Sequence, residues 1–443
     1  MKPKTFMLIA GEASGDLLAA ELVQALRREF EGAAAMPTTD FQPLYTNLQP
    51  RFFGAGGPRM AAAGVELAFD LTAHSVIGLS DVVKNYVTFR RLFHQLYQLA
   101  IEREPDAIVC VDFSGFNRRF AHEIKEYVRW HTGWFHDWNP RIIQYVSPQV
   151  WASREGRARQ MARDYDLLVS IFPFEKEWYA QRVPQLRVEF VGHPIVERYA
   201  DSAVAGCRLQ VAGSRSVRSE AVPAVSSLPH GGTSAGEPSS PLVLLLPGSR
   251  ANELRRHVPV MIGALEAMCA TIPELRARMV LADENLLEQA KLFGLPVHLE
   301  RRVGGLPEAL TEADVAIAST GTVTLECAYF GVPTVAMYRT SWSTYQIAKR
   351  IVRVRYLAMP NLLAEEEVFP EFIQNAATPE NIARAALEFL RDAARRKRIK
   401  ARLAEIVAGL GGPGASRRAA KAVVGLLARA TQGERAIGAV PAR

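Results

Sequence analysis

Short uninterrupted apolar runs recur along the chain, separated by longer stretches in which apolar residues return every three or four positions. The runs are Phe6–Ala10, Ala107–Phe113, Ile142–Val146, Leu167–Ile171, Val188–Val191, Val243–Leu246, Met279–Ala282, Val315–Ala318 and Thr334–Met337. Most show no polar alternation, which marks parallel strands buried on both faces. The intervening stretches, such as 16–30, 85–102 and 256–271, have helical spacing, and in the first of them Leu18, Leu22, Leu26 and Phe30 share one side. Strand and helix in alternation predict an α/β chain with doubly wound sheets.

One stretch breaks the rhythm. Residues 201–241 include Ser214-Arg-Ser-Val-Arg-Ser219 and His230-Gly-Gly-Thr-Ser-Ala-Gly-Glu-Pro-Ser-Ser-Pro241, too rich in Ser, Gly and Pro to bury a core. The expected organisation is an N-terminal α/β half over 1–200, a flexible linker over 201–241, a C-terminal α/β half over 242–385, and helices over 386–443 ending in a disordered tail. A length of 443 residues suits two or three domains. The net charge of +7 favours an anionic partner. The four cysteines, at 110, 207, 269 and 327, form no C-x-x-C pair; this argues against a disulfide framework or zinc site and points to a reducing compartment. The basic-then-apolar start Met1–Ala10 stops at Gly11-Glu12, too short for a signal peptide, and reads as a first strand. No window approaches the ~18 apolar residues of a spanning helix, so a soluble or peripheral protein is expected.

Candidate chemistry in the C-terminal half sits on two strand-to-helix turns. After Val243–Leu246 comes Pro247-Gly248-Ser249-Arg250, where a glycine, free helix N–H groups and a guanidinium suit a diphosphate. After Val315–Ala318 comes Ser319-Thr-Gly321-Thr322, followed by Thr324 and Glu326 on the next helix. This small hydroxylated loop suits phosphate, and Glu326, one turn into the helix, is placed to accept from ribose hydroxyls. A capping role explains Glu326 poorly, because the position three before it is Val323. Pro360-Asn361-Leu-Leu is expected as a further loop facing the site.

In the N-terminal half, strand one runs into Gly11-Glu12-Ala-Ser14-Gly15-Asp16, a turn at the strand's carboxyl end, where open α/β sheets bind ligands. Asp112 ends a buried strand and is a candidate general base. Asp164-Tyr-Asp166 resembles a D-x-D metal motif but is read as structural. In Val76–Ile101 the aromatics Tyr86, Phe89, Phe93 and Tyr97 line one helix face flanked by Lys84, Arg90 and Arg91, a pattern suited either to a lipid interface or to a plain core helix. The run Arg395–Arg402 reads as a solvated basic face.

Taken in order, the motifs resemble the lipid-A-disaccharide synthase family, inverting glycosyltransferases of the B fold, whose layout is two Rossmann-like domains facing across a cleft. The resemblance runs through Ala10–Asp16, Gly56-Gly-Pro-Arg-Met60, Val111-Asp112 with Phe116-Asn117, Tyr145-Val-Ser-Pro-Gln-Val-Trp-Ala152 and Phe172-Pro-Phe-Glu-Lys176. It continues with Gly192-His193, Leu246–Arg250, Ser319–Thr322 with Leu325-Glu-Cys327, and Pro360–Ala364. It implies that UDP-2,3-diacylglucosamine is joined to 2,3-diacylglucosamine 1-phosphate to give a β-1,6 disaccharide and UDP, without a metal, a cofactor or a nucleic-acid partner. It further implies Asp112 as base, Arg250 as a residue needed for activity, the 319–322 loop with Glu326 at the nucleotide, attachment to the cytoplasmic face of the inner membrane, and C-terminal helices that return to the N-terminal half and can be exchanged in a homodimer. Gly115 replaces a second acid and Ser153 a second tryptophan of the family pattern, and the 201–241 segment is longer than typical. Two rivals remain at this point: a UDP-N-acetylglucosamine epimerase of the same architecture, and a non-catalytic nucleotide-sugar-binding protein.

Overall fold

The computed structural model describes residues 3–35, 49–74, 86–133, 136–200 and 240–437. Residues 201–239 of the expected linker, 76–85 of the aromatic and basic segment, and the tail after 437 lie outside them. The chain divides into two units, Met1–Glu197 with Leu410–Arg443, and Arg198–Gly409.

The first unit contains β1 (Thr5–Ala10), β2 (Arg51–Gly56), β3 (Glu66–Asp70), β4 (Ala107–Val111), β5 (Arg141–Tyr145), β6 (Leu167–Ser170) and β7 (Val188–Phe190). They form one parallel sheet in the order β3-β2-β1-β4-β5-β6-β7. Alternate β1 side chains leave by opposite faces. Phe6 stacks on Phe52 at 5.3 Å and meets Phe30 of helix Ala13–Ala35 edge-on at 5.9 Å, while Met7 and Ile9 enter a core with Leu96, Phe120 and Tyr179. Both faces are covered, so the strand reads as unbroken apolar sequence. Leu18, Leu22, Leu26 and Phe30 are all buried, as their spacing predicts. Helix Ala415–Ile437 packs on helix Ala13–Ala35, with Ala419 and Ala420 fully buried. Its approach is fixed at Gly192-His193: the His193 N–H donates to Leu410 O (2.9 Å) and Arg418 Nε donates to Val191 O (2.7 Å).

The second unit contains β8 (Leu242–Leu246), β9 (Arg276–Leu281), β10 (Leu299–Val303), β11 (Val315–Ser319), β12 (Thr334–Tyr338) and β13 (Glu371–Ile373). This sheet is also parallel, in the order β10-β9-β8-β11-β12-β13. Val243, Leu245 and Ile317 pack with Leu265 of helix Ala251–Thr271 and Phe389 of helix Pro379–Arg391. Helix Ala393–Gly409 belongs here, and its basic run is partly engaged: Arg396 Nη1 donates to Phe389 O at 2.7 Å, closing the end of the preceding helix, and Arg402 bridges Glu366 and Glu405.

Four strands, β2, β3, β10 and β13, carry no signal in the apolar runs. β3 and β10 expose alternate or central residues, β13 has three residues, and β2 holds two glycines among its six. In each sheet the strand order reverses beside the unit's first strand, between β1 and β4 and between β8 and β11. Open α/β sheets bind ligands at such a reversal, outside the strands' carboxyl ends.

Candidate active site

At the first reversal, Ala10 of β1 pairs with Val111 of β4, and the loops that follow lean on each other. A Cβ on Gly11 would lie 2.3 Å from the Phe113 ring, and one on Gly15 would meet Val111 O at 3.4 Å and Asp112 Cβ at 3.5 Å. Glycine at 11 is therefore a requirement of close approach. Glu12 is half-buried, and Ser14 Oγ lies 3.5 Å from Asp112 Oδ2. Asp16 is buried and accepts from the N–H groups of Gly57 (2.8 Å), Arg59 (3.0 Å) and Met60 (3.0 Å), which ties the Gly56–Met60 motif to the same loop.

β4 ends at Val111 rather than Phe113, because the chain turns left-handed: φ is 49° at Asp112 and 42° at Phe113. Val146, just past β5, has φ 68°. Non-glycine residues seldom adopt this region, and a β-branched one least of all. The Asp112 N–H donates to Tyr145 O (2.8 Å), while Asp112 O accepts from Asn117 Nδ2 (2.9 Å) and Gln144 Nε2 (3.2 Å). Burial pushes the Asp112 carboxyl above the usual range, and the Phe113 N–H and Ser14 hydroxyl pull part of that back. A carboxylate so placed is a stronger proton acceptor than a free one.

The Tyr145–Ala152 and Phe172–Lys176 motifs meet at Glu175, a fully buried carboxyl that receives Trp151 Nε1–H at 2.9 Å and lies 2.5 Å from Ser170 Oγ. Burial raises it to about 7. Gly115 has open space where a side chain would extend, and Ser153 closes the short helix Val150–Ser153.

At the second reversal the loops after β8 and β11 emerge side by side, with Leu246 paired to Ala318. Gly248 has φ 119°, and a Cβ there would lie 2.3 Å from Glu253 Oε2. The Ser249 N–H donates to that same oxygen at 3.1 Å, so one donor expected to be free for a diphosphate is held by a carboxylate. Arg250 is exposed at the start of helix Ala251–Thr271. His257, two turns on, is a residue the motifs do not reveal. It is fully buried and accepts from the Arg339 N–H at Nε2 (3.0 Å); Nδ1 therefore carries the proton and donates to Pro247 O (2.7 Å). Burial holds its pKa below the usual value, which suits this neutral bridge between the ends of β8 and β12.

The 319–322 loop follows the same plan. Gly321 has φ 145° and ψ −161°, a combination open essentially to glycine alone, and Thr322 is exposed at the start of helix Thr322–Tyr329. Ser319 is 4% exposed at the end of β11. Glu326 is half-buried and receives the Tyr199 hydroxyl at 3.4 Å; burial raises its pKa, and Arg198 opposes that rise.

Two of the expected site residues, Thr324 and Asn361, are fully buried. The Thr324 hydroxyl donates to Gly321 O (2.7 Å) and accepts from the Met359 N–H (3.3 Å). Asn361 lies in helix Met359–Ala364 rather than in a loop. It is fully buried, donating to Phe369 O (2.7 Å) and accepting from the N–H groups of Val368 (2.9 Å) and Phe369 (2.7 Å). Both brace loops from inside the fold. For helix Tyr86–Arg103 the packing favours the second of its two readings, the core helix. Phe89, Phe93 and Tyr97 pack against the first unit's core, Phe93 edge-on to Phe116 (5.3 Å) and Phe120 (5.7 Å), so the aromatic face is a core face. Asp164 and Asp166 are structural as read: the first meets His122, and the second takes Lys125 Nζ (2.8 Å) and the Ile142 N–H (2.8 Å).

Comparison with known proteins covers both units. The family model for Lipid-A-disaccharide synthetase matches residues 6–210 and 235–423. The chain is 34% identical over 432 residues to the lipid-A-disaccharide synthase of Trichlorobacter lovleyi, covering 96% of this chain and 98% of that one. It is 33% identical over 430 residues to that of Myxococcus xanthus, again at 96% and 98% coverage. Among solved structures, a putative UDP-N-acetylglucosamine 2-epimerase from Listeria monocytogenes aligns with TM-score 0.57 at 13% identity, over 94% of this chain and 95% of that one. The calicheamicin glycosyltransferase CalG4 aligns with TM-score 0.53 at 15% identity, over 97% and 99%. At such identities the structural likenesses show the fold alone, that of B-type glycosyltransferases and related epimerases. The sequence match is of another order, spans both units, and shows that the chain belongs to the lipid-A-disaccharide synthetase family of glycosyltransferases.

Proposed function

We propose that this protein joins UDP-2,3-diacylglucosamine to 2,3-diacylglucosamine 1-phosphate, forming the β-1,6-linked lipid A disaccharide and releasing UDP. The observation that carries this reading is a family match extending through both units and through the loops at both strand reversals. The acceptor's 6-hydroxyl oxygen attacks the donor's anomeric carbon from the face opposite the diphosphate, so the configuration inverts. Asp112 takes the hydroxyl proton, and the bond to the diphosphate breaks with its electron pair leaving on UDP. Arg250, the Gly248 N–H and N–H groups of the 319–322 loop offset the charge growing on that diphosphate, and Glu326 accepts from the ribose. Gly11, Glu12, Ser14 and Gly15 shape the acceptor side, with Ser14 beside the base. The reaction needs no metal ion.

Both substrates carry acyl chains, so the protein works at a lipid surface. Among the described residues no helix is long and apolar enough to cross a membrane. Support for peripheral attachment comes from helix Trp342–Ile351, which has no buried residue; Trp342 is 74% and Ile347 58% exposed, and Lys349 and Arg350 lie in its last turn. No Asp or Glu occurs between Glu326 and Glu365. An exposed tryptophan and isoleucine with Lys349 and Arg350 on one short helix suit the anionic cytoplasmic face of an inner membrane. The same reading includes a homodimer that exchanges helix Ala415–Ile437, for which sedimentation is the test.

An epimerase would share the fold but act on a UDP-sugar alone. Incubation with both acylated glucosamine substrates and mass spectrometry of the products separates the two. Disaccharide 1-phosphate formed in step with UDP, unaffected by EDTA, is expected. An isomerised UDP-sugar with no acceptor requirement would overturn the reading.

A further inference from the structure

We infer that Gln144 is a positioning residue for Asp112, an inference that rests on Asp112 being the base. Gln144 is fully buried within β5, beside Cys110 of β4 and among Ile142, Ile143 and Tyr145. A polar amide in such a strand needs a reason. Its Nε2 supplies one, because it sits among three backbone carbonyls: Asp112 O (3.2 Å), Val146 O (3.2 Å) and Tyr145 O (3.4 Å). Asp112 and Val146 are themselves two of the non-glycine residues held left-handed, with φ 49° and 68°. The amide therefore clasps the carbonyls of both strained turns, at the ends of neighbouring strands. Asn117 adds a second donor to Asp112 O at 2.9 Å from the helix that follows. The Gln144 oxygen finds no partner among the described residues, so the N–H side of the amide is what the site uses.

Strained backbone persists only where its surroundings over-determine it. Without the amide, the Asp112 turn is free to relax toward ordinary φ, and the carboxylate leaves its place beside Ser14. The side chain itself touches no substrate; it acts through the Asp112 backbone.

The test is Gln144→Met, which keeps size and burial but removes the donor, with Gln144→Leu as a second donorless variant should the first not fold. In full-length protein assayed with both lipid substrates, kcat falls at least about tenfold, while KM for donor and acceptor and the affinity for UDP stay within about twofold. In long incubations Asp112→Asn with Gln144→Met is no slower than Asp112→Asn alone, because both act on one group. Unchanged kcat in a folded donorless variant, or losses that multiply in the double variant, would overturn the inference. Turnover retained by Asp112→Asn on its own would instead remove the base assignment.

Discussion

The two strand reversals share one topology and differ in how their loops are made. After β4 and β5, Asp112, Phe113 and Val146 take left-handed backbone without glycine, braced by Gln144 and Asn117. At the second reversal, after β8 and β11, Gly248 and Gly321 supply the positive φ values. One loop system fixes the Asp112 carboxylate by backbone held left-handed; the other leaves an exposed Arg250 guanidinium and a half-buried Glu326, its pKa also raised by burial, beside turns built on glycine. The contrast follows from what each must hold. A proton acceptor works over a few tenths of an ångström, so its backbone is over-determined. A diphosphate offers many oxygens, and a loop of N–H groups can settle around it.

The comparison breaks first at Asp112. Asp112→Asn is expected to lower kcat by about 10²–10⁴-fold, the usual worth of general-base help, with KM little changed. Arg250→Ala comes next: removal of a preorganised donor to developing charge typically costs about 10²–10³-fold in kcat, and here UDP binding weakens with it. The third effect is on stability. Glu175 has a folded pKa of about 7 against 4.5 for a free glutamate, so the folded state binds the extra proton and wild-type stability declines as pH rises from 4.5 to 7. Glu175→Gln removes that decline. Thermal melts should show the variant more stable by on the order of 1–3 kcal/mol at pH 8, and unchanged near pH 4.5. The smallest effect is at the ribose. Wild type should prefer UDP to 2′-deoxy-UDP by about 1 kcal/mol, and calorimetry of Glu326→Ala should find that preference gone.

Much of this was legible in the sequence, for a physical reason. Central parallel strands are apolar on both faces, so β1, β4, β5, β8 and β11 stand out as runs, while the edges β3 and β10 carry water-facing residues and vanish among loops. Asp112 and the 319–322 loop could be found because they punctuate such runs. Thr324 and Asn361 show the limit of one dimension: a polar residue that braces a loop from inside reads in sequence like one that faces a ligand. Gln144 and His257 carry no sequence signal for the related reason that their partners are backbone groups at strand ends, Asp112 O and Val146 O for the first and Pro247 O and the Arg339 N–H for the second. The aromatic stripe of helix Tyr86–Arg103 was ambiguous in principle: helical spacing shows that Phe89, Phe93 and Tyr97 share a face, and only packing shows that the face meets Phe116 and Phe120.

The division of labour between the two loop systems is tested most directly by titrating UDP calorimetrically into Asp112→Asn and Arg250→Ala side by side. Wild-type affinity in the first and at least tenfold weaker binding in the second is the predicted result. Weakened UDP binding in Asp112→Asn, or undiminished binding in Arg250→Ala, would contradict it.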